Sequence, residues 1–274
     1  TPTAMAFGDV FLPVSTFAEQ DGVVITHFGR NAVTLGPINE ALRVGDTKSD
    51  IEVCIELGKK LHPDMWDYKD VPDFFSQQLE PELGVDFDGL REMGAFQPKY
   101  TYKKYEKGLL RGDGEPGFNT VTGMVELSST LFEAWGDDAL PYYKEPPYSP
   151  VSTPELFKEY PLILTTGARK VTSFHSEHRQ IAVLREIDPD PEVELNPSTA
   201  KDLGINHGDW VLLENMFGKA KLRAKVTPTI HPKVVHATHG WWFPEKDAEE
   251  PSLYGVWQSN INTLVPHKHI GKLG

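Results

Sequence analysis

The chain has 274 residues, a formal net charge of -13 and 39% hydrophobic residues. That length supports one large domain or two small ones, each with a sizeable core. The acidic balance argues against broad nucleic-acid binding, which needs a basic face, so any anion must be held by local groups acting against the overall field.

Residues 1–45 alternate short apolar runs with turn residues, "DVFLPVSTF" then "DGVVITHFGR", and read as strands and loops. Residues 47–61, "TKSDIEVCIELGKKL", predict a helix capped by Thr47, with Ile51, Cys54, Ile55 and Leu61 near one face. On that reading Cys54, the single cysteine, is a small core hydrophobe. Alone it forms neither an internal disulfide nor a cysteine-ligated zinc or iron–sulfur centre. "DFFSQQL" and "DFDGLREMG" suggest short helices. "PKYTYKKYEKGLLRGDGEPGF" interleaves aromatics with lysines, but its acidic flanks favour an ordered surface loop or hairpin over a nucleic-acid stripe. "GFNTVTGMVELSS" reads as a turn followed by a strand. The prolines of "PYYKEPPYSPVSTPEL", 141–156, mark a linker and divide a domain of residues 1–150 from one of residues 151–274.

After the linker the texture changes. "YPLILTTG", "EVELN", "DWVLLEN", "KAKLRAKVT" and "KVVHATHG" are short strands punctuated by Gly, Pro and Asn, the pattern of a barrel or sandwich. "NPSTAKDLGINHGD" interrupts them with a helix opened by Pro197 and stopped by Gly204. "NMFGKA" predicts a tight turn joining two strands, with Gly218 free to take positive φ. The tryptophans of "THGWWFPE" are expected in the barrel core. No apolar run reaches the roughly 20 residues that span a bilayer. The opening "TPTAMAFGDVFLP" carries no initiator Met, and a fragment of a longer protein is expected.

The stretch with the densest chemistry is "LILTTGARKVTSFHSEHRQ", 162–180. Its apolar run is expected to be a buried strand. Arg169, Lys170, His175, His178 and Arg179 follow within a dozen residues. His175 and His178 have the H-x-x-H spacing of zinc ligands, but no third ligand is evident. There is no G-x-S-x-G elbow for a serine hydrolase. Anion binding fits better: Thr165 and Thr166 offer hydroxyls, Gly167 lets backbone N–H groups approach a ligand, and Arg169 can fork onto a phosphate. A solvated loop beside an arginine is the competing reading.

The order of segments, from "TPTAMAFGDVFLPVSTFAEQDG" through "DTKSDIEVCIELGKKL", "GFNTVTGMVELSS", "YPLILTTGARKVTSFHSEHRQ" and "VELNPSTAKDLGINHGDWVLLENMFGKAKLRAKVT" to "NINTL", resembles the C-terminal part of molybdopterin oxidoreductases of the dimethyl sulfoxide reductase family. The wording of 166–180 is most similar to the acetylene hydratase-like branch. The resemblance covers nearly the whole chain. It implies a partial α/β, Rossmann-like segment over 1–150, followed over 151–274 by a six-stranded double-psi-type β-barrel that covers the pterins. It implies molybdopterin guanine dinucleotide with molybdenum or tungsten as the cofactor of the parent enzyme, absent from the isolated chain. By the same carry-over Thr165, Thr166, Gly167 and Arg169 touch a pterin or its phosphate, His175 and Ser176 form the polar pair downstream, and Asn262 sits near the end of the barrel. The usual Thr-Gly-Arg of that turn reads Thr-Gly-Ala-Arg here, which puts the direction of Arg169 in question. The iron–sulfur cysteines and the metal's own ligand are expected upstream, so the chain alone is expected to be inactive. Its partners are then the remainder of the parent enzyme and a small-molecule substrate, with no nucleic acid and no membrane span. A stand-alone barrel that binds an anion or a protein partner is the alternative. The tail "PHKHIGKLG", with His267, Lys268, His269 and Lys272, either lies on phosphates of a second dinucleotide or is a frayed end.

Overall fold

A computed structural model describes residues 1–26, 34–97, 99, 101–168 and 170–266. Along these, the order is α1 (Pro2–Phe7), β1 (Gly22–Thr26), β2 (Thr34–Ile38), α2 (Asp50–Leu61), α3 (Val71–Leu83), α4 (Phe87–Met93), α5 (Thr130–Ala134), α6 (Pro154–Glu159), β3 (Ile163–Thr166), α7 (Ala182–Ile187), β4 (Glu192–Leu195), α8 (Pro197–Leu203), β5 (Trp210–Asn215), β6 (Gly218–Val226), β7 (Val234–Ala237) and α9 (Val256–Ser259), with short 3₁₀ turns at Leu253–Gly255 and Ile261–Leu264. The chain divides into a unit of Val10–Val125 and a unit of Thr1–Asp9 with Glu126–Gly274.

In the first unit β1 and β2 pair antiparallel, Gly22 opposite Ile38. Helices α3 and α4 bury Leu79, Phe87 and Leu90, against which Val23, Phe75, Leu83 and Phe96 pack. Helix α2 starts two residues later than the sequence suggests. Ser49 is its N-cap, and a capping box joins the Ser49 hydroxyl to the Glu52 N–H and the Glu52 carboxylate to the Ser49 N–H. The buried face carries Ile55 and Gly58, and Cys54 is exposed, not a core residue. Two further expectations fail. Residues 2–7 form a helix. The "GFNTVTGMVELSS" segment has turns and no strand, its apolar side chains Val121 and Leu127 lying exposed.

The second unit is built on a curled five-stranded sheet in the order β3-β7-β4-β6-β5. Strands β3 and β7 are parallel, β7 and β4 antiparallel, β4 and β6 parallel, and β6 and β5 antiparallel. Period-two alternation sends Val193, Leu195, Ala220, Leu222, Ala224, Val235 and Ala237 into one core with Ile261 and Leu264. Each fully buried Val, Leu or Ile side chain there contributes about 1.5–3 kcal/mol. On the opposite face charges pair across strands, with Lys225 between Glu192 and Glu194. Helix α8 opens at Pro197 and is ended by Gly204 in the left-handed region, as its sequence indicates, and Asn196 is its N-cap. The β5–β6 hairpin differs in its cause. The Asn215 side chain accepts from the N–H groups of Phe217 and Gly218, and Gly218 is needed because a Cβ there would lie 2.6 Å from the Thr263 carbonyl oxygen. Trp241 and Trp242 are buried, but neither belongs to the core cluster of the sheet; Trp241 lies against Arg179, Arg185 and Phe243.

Candidate functional site: the loop after β3

Strand β3 is an edge strand with one neighbour, so "LIL" does not form the buried strand that its hydrophobicity suggests. Ile163 is 41% exposed, while Leu162 and Leu164 pack on the core. At its end the Thr165 hydroxyl lies 3.2 Å from the Val235 carbonyl and 3.1 Å from His236 Nδ1, and the Thr166 hydroxyl donates to the Ala237 carbonyl at 3.1 Å. The Thr166 proton is therefore spent on strand β7, and what it offers outward is lone pairs. Gly167 has φ 97°, and a Cβ built there meets nothing within 4 Å, so the backbone stands open on that side. Arg169 lies outside the described residues, as do His267, Lys268, His269 and Lys272.

His175 and Ser176 occupy an exposed turn beside the end of β7. His175 Nδ1 lies 3.0 Å from His239 Nε2, and the Trp242 indole donates to the Ser176 carbonyl at 2.6 Å. His175 and His178 both have positive φ, 54° and 73°, so the H-x-x-H pair is not displayed on a helix. No group of three or more metal-ligating side chains occurs among the described residues. Asn262 is exposed on the last 3₁₀ turn, and no hydrogen bond among the described residues joins it to the β3 loop. The structure thus places Thr165, Thr166, Gly167, His175 and Ser176 along one loop and leaves Asn262 on a separate turn.

Two of the cations in 162–180 are internal struts. Lys170 pairs with Asp188 and, at 3.1 Å, with Glu192. Arg179 is 4% exposed, lies over the Trp241 ring at 4.1 Å and reaches Asp188 at 3.6 Å. Burial pushes the Arg179 guanidinium down to about 10; Asp188 opposes the shift and the charge of Arg185 adds to it. Arg179 Nη2 also faces the carbonyls of His175 and His239 at 3.3 and 3.4 Å. Nothing in sequence spacing links Arg179 to Asp188 or His239, because their meeting depends on β3, β7 and α7 being brought together.

The family model described as molydopterin dinucleotide binding domain matches residues 162–273, from the start of β3 onward. This chain carries the molybdopterin dinucleotide-binding domain of the dimethyl sulfoxide reductase family. It is 39% identical over 190 residues to a dopamine dehydroxylase of Eggerthella lenta, covering 61% of this chain and 18% of the relative. It is 35% identical over 196 residues to the acetylene hydratase of Syntrophotalea acetylenica, covering 72% of this chain and 25% of the relative. A solved acetylene hydratase from Pelobacter acetylenicus superimposes with a TM-score of 0.80 at 29% identity, over 92% of this chain and 34% of the other. The stretch that this chain matches therefore spans about a third of the solved structure's length and a quarter or less of the two curated relatives'. Its mixed α/β class and curled sheet agree with the acetylene hydratase fold. The family assignment favours cofactor binding over a stand-alone anion- or partner-binding barrel. Among the described residues no helix is long and apolar enough to cross a membrane.

The donor set of the β3 loop suits such a cofactor. It combines an open glycine backbone, hydroxyl lone pairs, an exposed imidazole and a serine, as a heterocycle with alternating donors and acceptors requires.

Proposed function

We propose that residues 151–274 hold a molybdopterin guanine dinucleotide, with Thr165, Thr166, Gly167, Arg169, His175, Ser176 and Asn262 turned to the pterin and its phosphates. The observation that carries this reading is the β3 loop, where Gly167 leaves the backbone open and His175 stands exposed beside it. When bound, the cofactor supplies redox or hydration chemistry at molybdenum or tungsten. The chain's own residues bind and orient it, and the metal's own ligand and the iron–sulfur cysteines belong to the remainder of the enzyme. Residues 1–150 are read as the tail of an α/β domain that approaches the same cofactor. The curled sheet is read as the greater part of a six-stranded double-psi-type barrel, because its two edge strands, β3 and β5, both border one groove of about 370 Å³. The small-molecule substrate meets the metal from elsewhere in the enzyme, and the chain's partner is the rest of that enzyme.

The test uses the enzyme that carries this chain. His175→Ala and Thr166→Val should each lower the pterin released per mole of protein. Loss of one hydrogen bond costs about 0.5–1.5 kcal/mol, or roughly two- to tenfold in affinity. Thermal stability should change little for His175→Ala. Full pterin content in both variants sinks the assignment of this loop.

A further inference from the structure

The turn that presents His175 is held in a sparsely populated conformation. His175 and His178 take φ values of 54° and 73°, which side chains other than glycine adopt only when their surroundings over-determine them. Three holds do this. Arg179 Nη2 faces the His175 carbonyl at 3.3 Å and the His239 carbonyl at 3.4 Å, so one guanidinium spans the two loops. The Trp242 indole donates to the Ser176 carbonyl at 2.6 Å. Gly240 lets the two backbones approach, since a Cβ there would lie 3.1 Å from the His175 carbonyl. Arg179 is itself fixed by burial, by its stack on Trp241 and by Asp188.

The ring pair has a consequence for the ligand. The rings of His175 and His239 meet edge to face, centroids 5.2 Å apart, with His175 Nδ1 at 3.0 Å from His239 Nε2. A neutral imidazole carries its proton on one nitrogen only. If His239 donates, His175 keeps its proton on Nε2 and offers a donor; if His175 donates, its Nε2 is a bare acceptor. Either way Nδ1 is taken, and a single nitrogen of His175 remains for the ligand. We propose that His239 and Arg179 are positioning residues of this site: His239 sets the tautomer and direction of the His175 ring, and Arg179 holds the two histidine backbones in register so that it can. This rests on the reading that His175 faces the pterin dinucleotide. It adds that His175 makes one directed bond, to one heteroatom of the heterocycle or one phosphate oxygen, and does not bridge two groups.

The experiment has two arms. In the first, this chain is prepared with ¹⁵N-labelled imidazoles, and the His175 ring is followed by long-range ¹H–¹⁵N correlation. The hydrogen-bonded single tautomer expected in the parent should give way, in His239→Leu, to the mixed-tautomer pattern of an exposed histidine. His239→Gln, whose amide reaches the position of Nε2, should retain it. In the second arm, the enzyme that carries this chain is assayed for pterin retained after dialysis. His239→Leu and Arg179→Lys should lower retention about five- to tenfold and His239→Gln less than about twofold. Lysine keeps the charge but loses the planar guanidinium stacked on Trp241 that places Nη2 between the two carbonyls. A His175 pattern unchanged by His239→Leu overturns the proposal. So does a changed pattern with full pterin retention, and His175→Ala then separates the two levels: if it loses pterin, only the positioning role has failed, and if it retains pterin, the reading of the site has failed with it. Should Arg179→Lys not fold, the half-buried His239 decides the matter through its Leu and Gln variants.

Discussion

Asp188 is the hub beneath the candidate site, and Asp188→Asn tests how much rests on it. Its carboxylate meets Lys170, accepts from the Thr172 hydroxyl at 3.1 Å and faces Arg179 at 3.6 Å. The amide keeps the shape and removes the charge. Lys170 retains Glu192 as a partner and is about a quarter exposed, so its loss is small. Arg179 is 4% exposed and would be left as a buried cation without its counter-charge. Breaking a buried pair in this way costs about 3–5 kcal/mol, and the length of the Arg179–Asp188 contact argues for the lower end, about 3 kcal/mol. For a unit of this size that corresponds to a fall of about 6–12 °C in melting temperature. Thermal unfolding followed by circular dichroism measures it. Removing the stranded cation as well, in Asp188→Asn/Arg179→Met, should restore most of the loss. The pH dependence has a defined sign. A guanidinium whose folded pKa, about 10, lies below its ordinary value is penalised in the folded state at neutral pH, and the penalty is relieved only as pH rises above about 10. The reasoning is refuted by a shift under about 2 °C, or by a double variant no more stable than the single one.

Gly218→Ala should cost about 1–3 kcal/mol, because its Cβ would press on the Thr263 carbonyl, and hydrogen exchange should rise in 261–265 before the rest of the sheet. Leu222→Ala, at a fully buried position of β6, should cost about 2–5 kcal/mol in urea unfolding. The Glu19 carboxylate is held below its ordinary value of 4.5 by the Thr16 N–H and hydroxyl, so it contributes stability above that pH that is lost as pH falls through its depressed value. Glu19→Gln should accordingly lower the neutral plateau of the urea midpoint profile and so flatten its acid side, while leaving the acid limit, where the carboxyl is protonated, little changed.

The sheet was legible where period-two alternation and turn residues agree. β4, β5, β6 and β7 fall where "EVELN", "DWVLLEN", "KAKLRAKVT" and "KVVHATHG" place them, and α8 opens at Pro197 and ends at Gly204 as read. Failures came where local pattern is silent about neighbours. "LIL" reads as a buried strand, but burial depends on having a strand on both sides, and β3 has one. Cys54 reads as core from its spacing to Ile51 and Ile55, but α2 turns Ile55 and Gly58 inward and leaves it exposed. The positive φ open to Gly218 belongs to no residue of that hairpin; the glycine answers to a backbone 45 positions away. The candidate loop itself was visible as Thr165, Thr166, Gly167 and His175. Its supports were not. Lys170 and Arg179 look like ligand-facing cations in sequence, and only the fold of α7 shows that Asp188 claims both.

The most direct test of the account is hydrogen exchange on the enzyme that carries this chain, compared with and without its pterin cofactor. The backbone amides of 167–179 and 239–240 should gain protection on loading, while those of the β6 core, already buried, change little. Protection confined to other parts of the chain, with 167–179 exchanging at the same rate in both forms, would contradict the claim that this loop holds the cofactor.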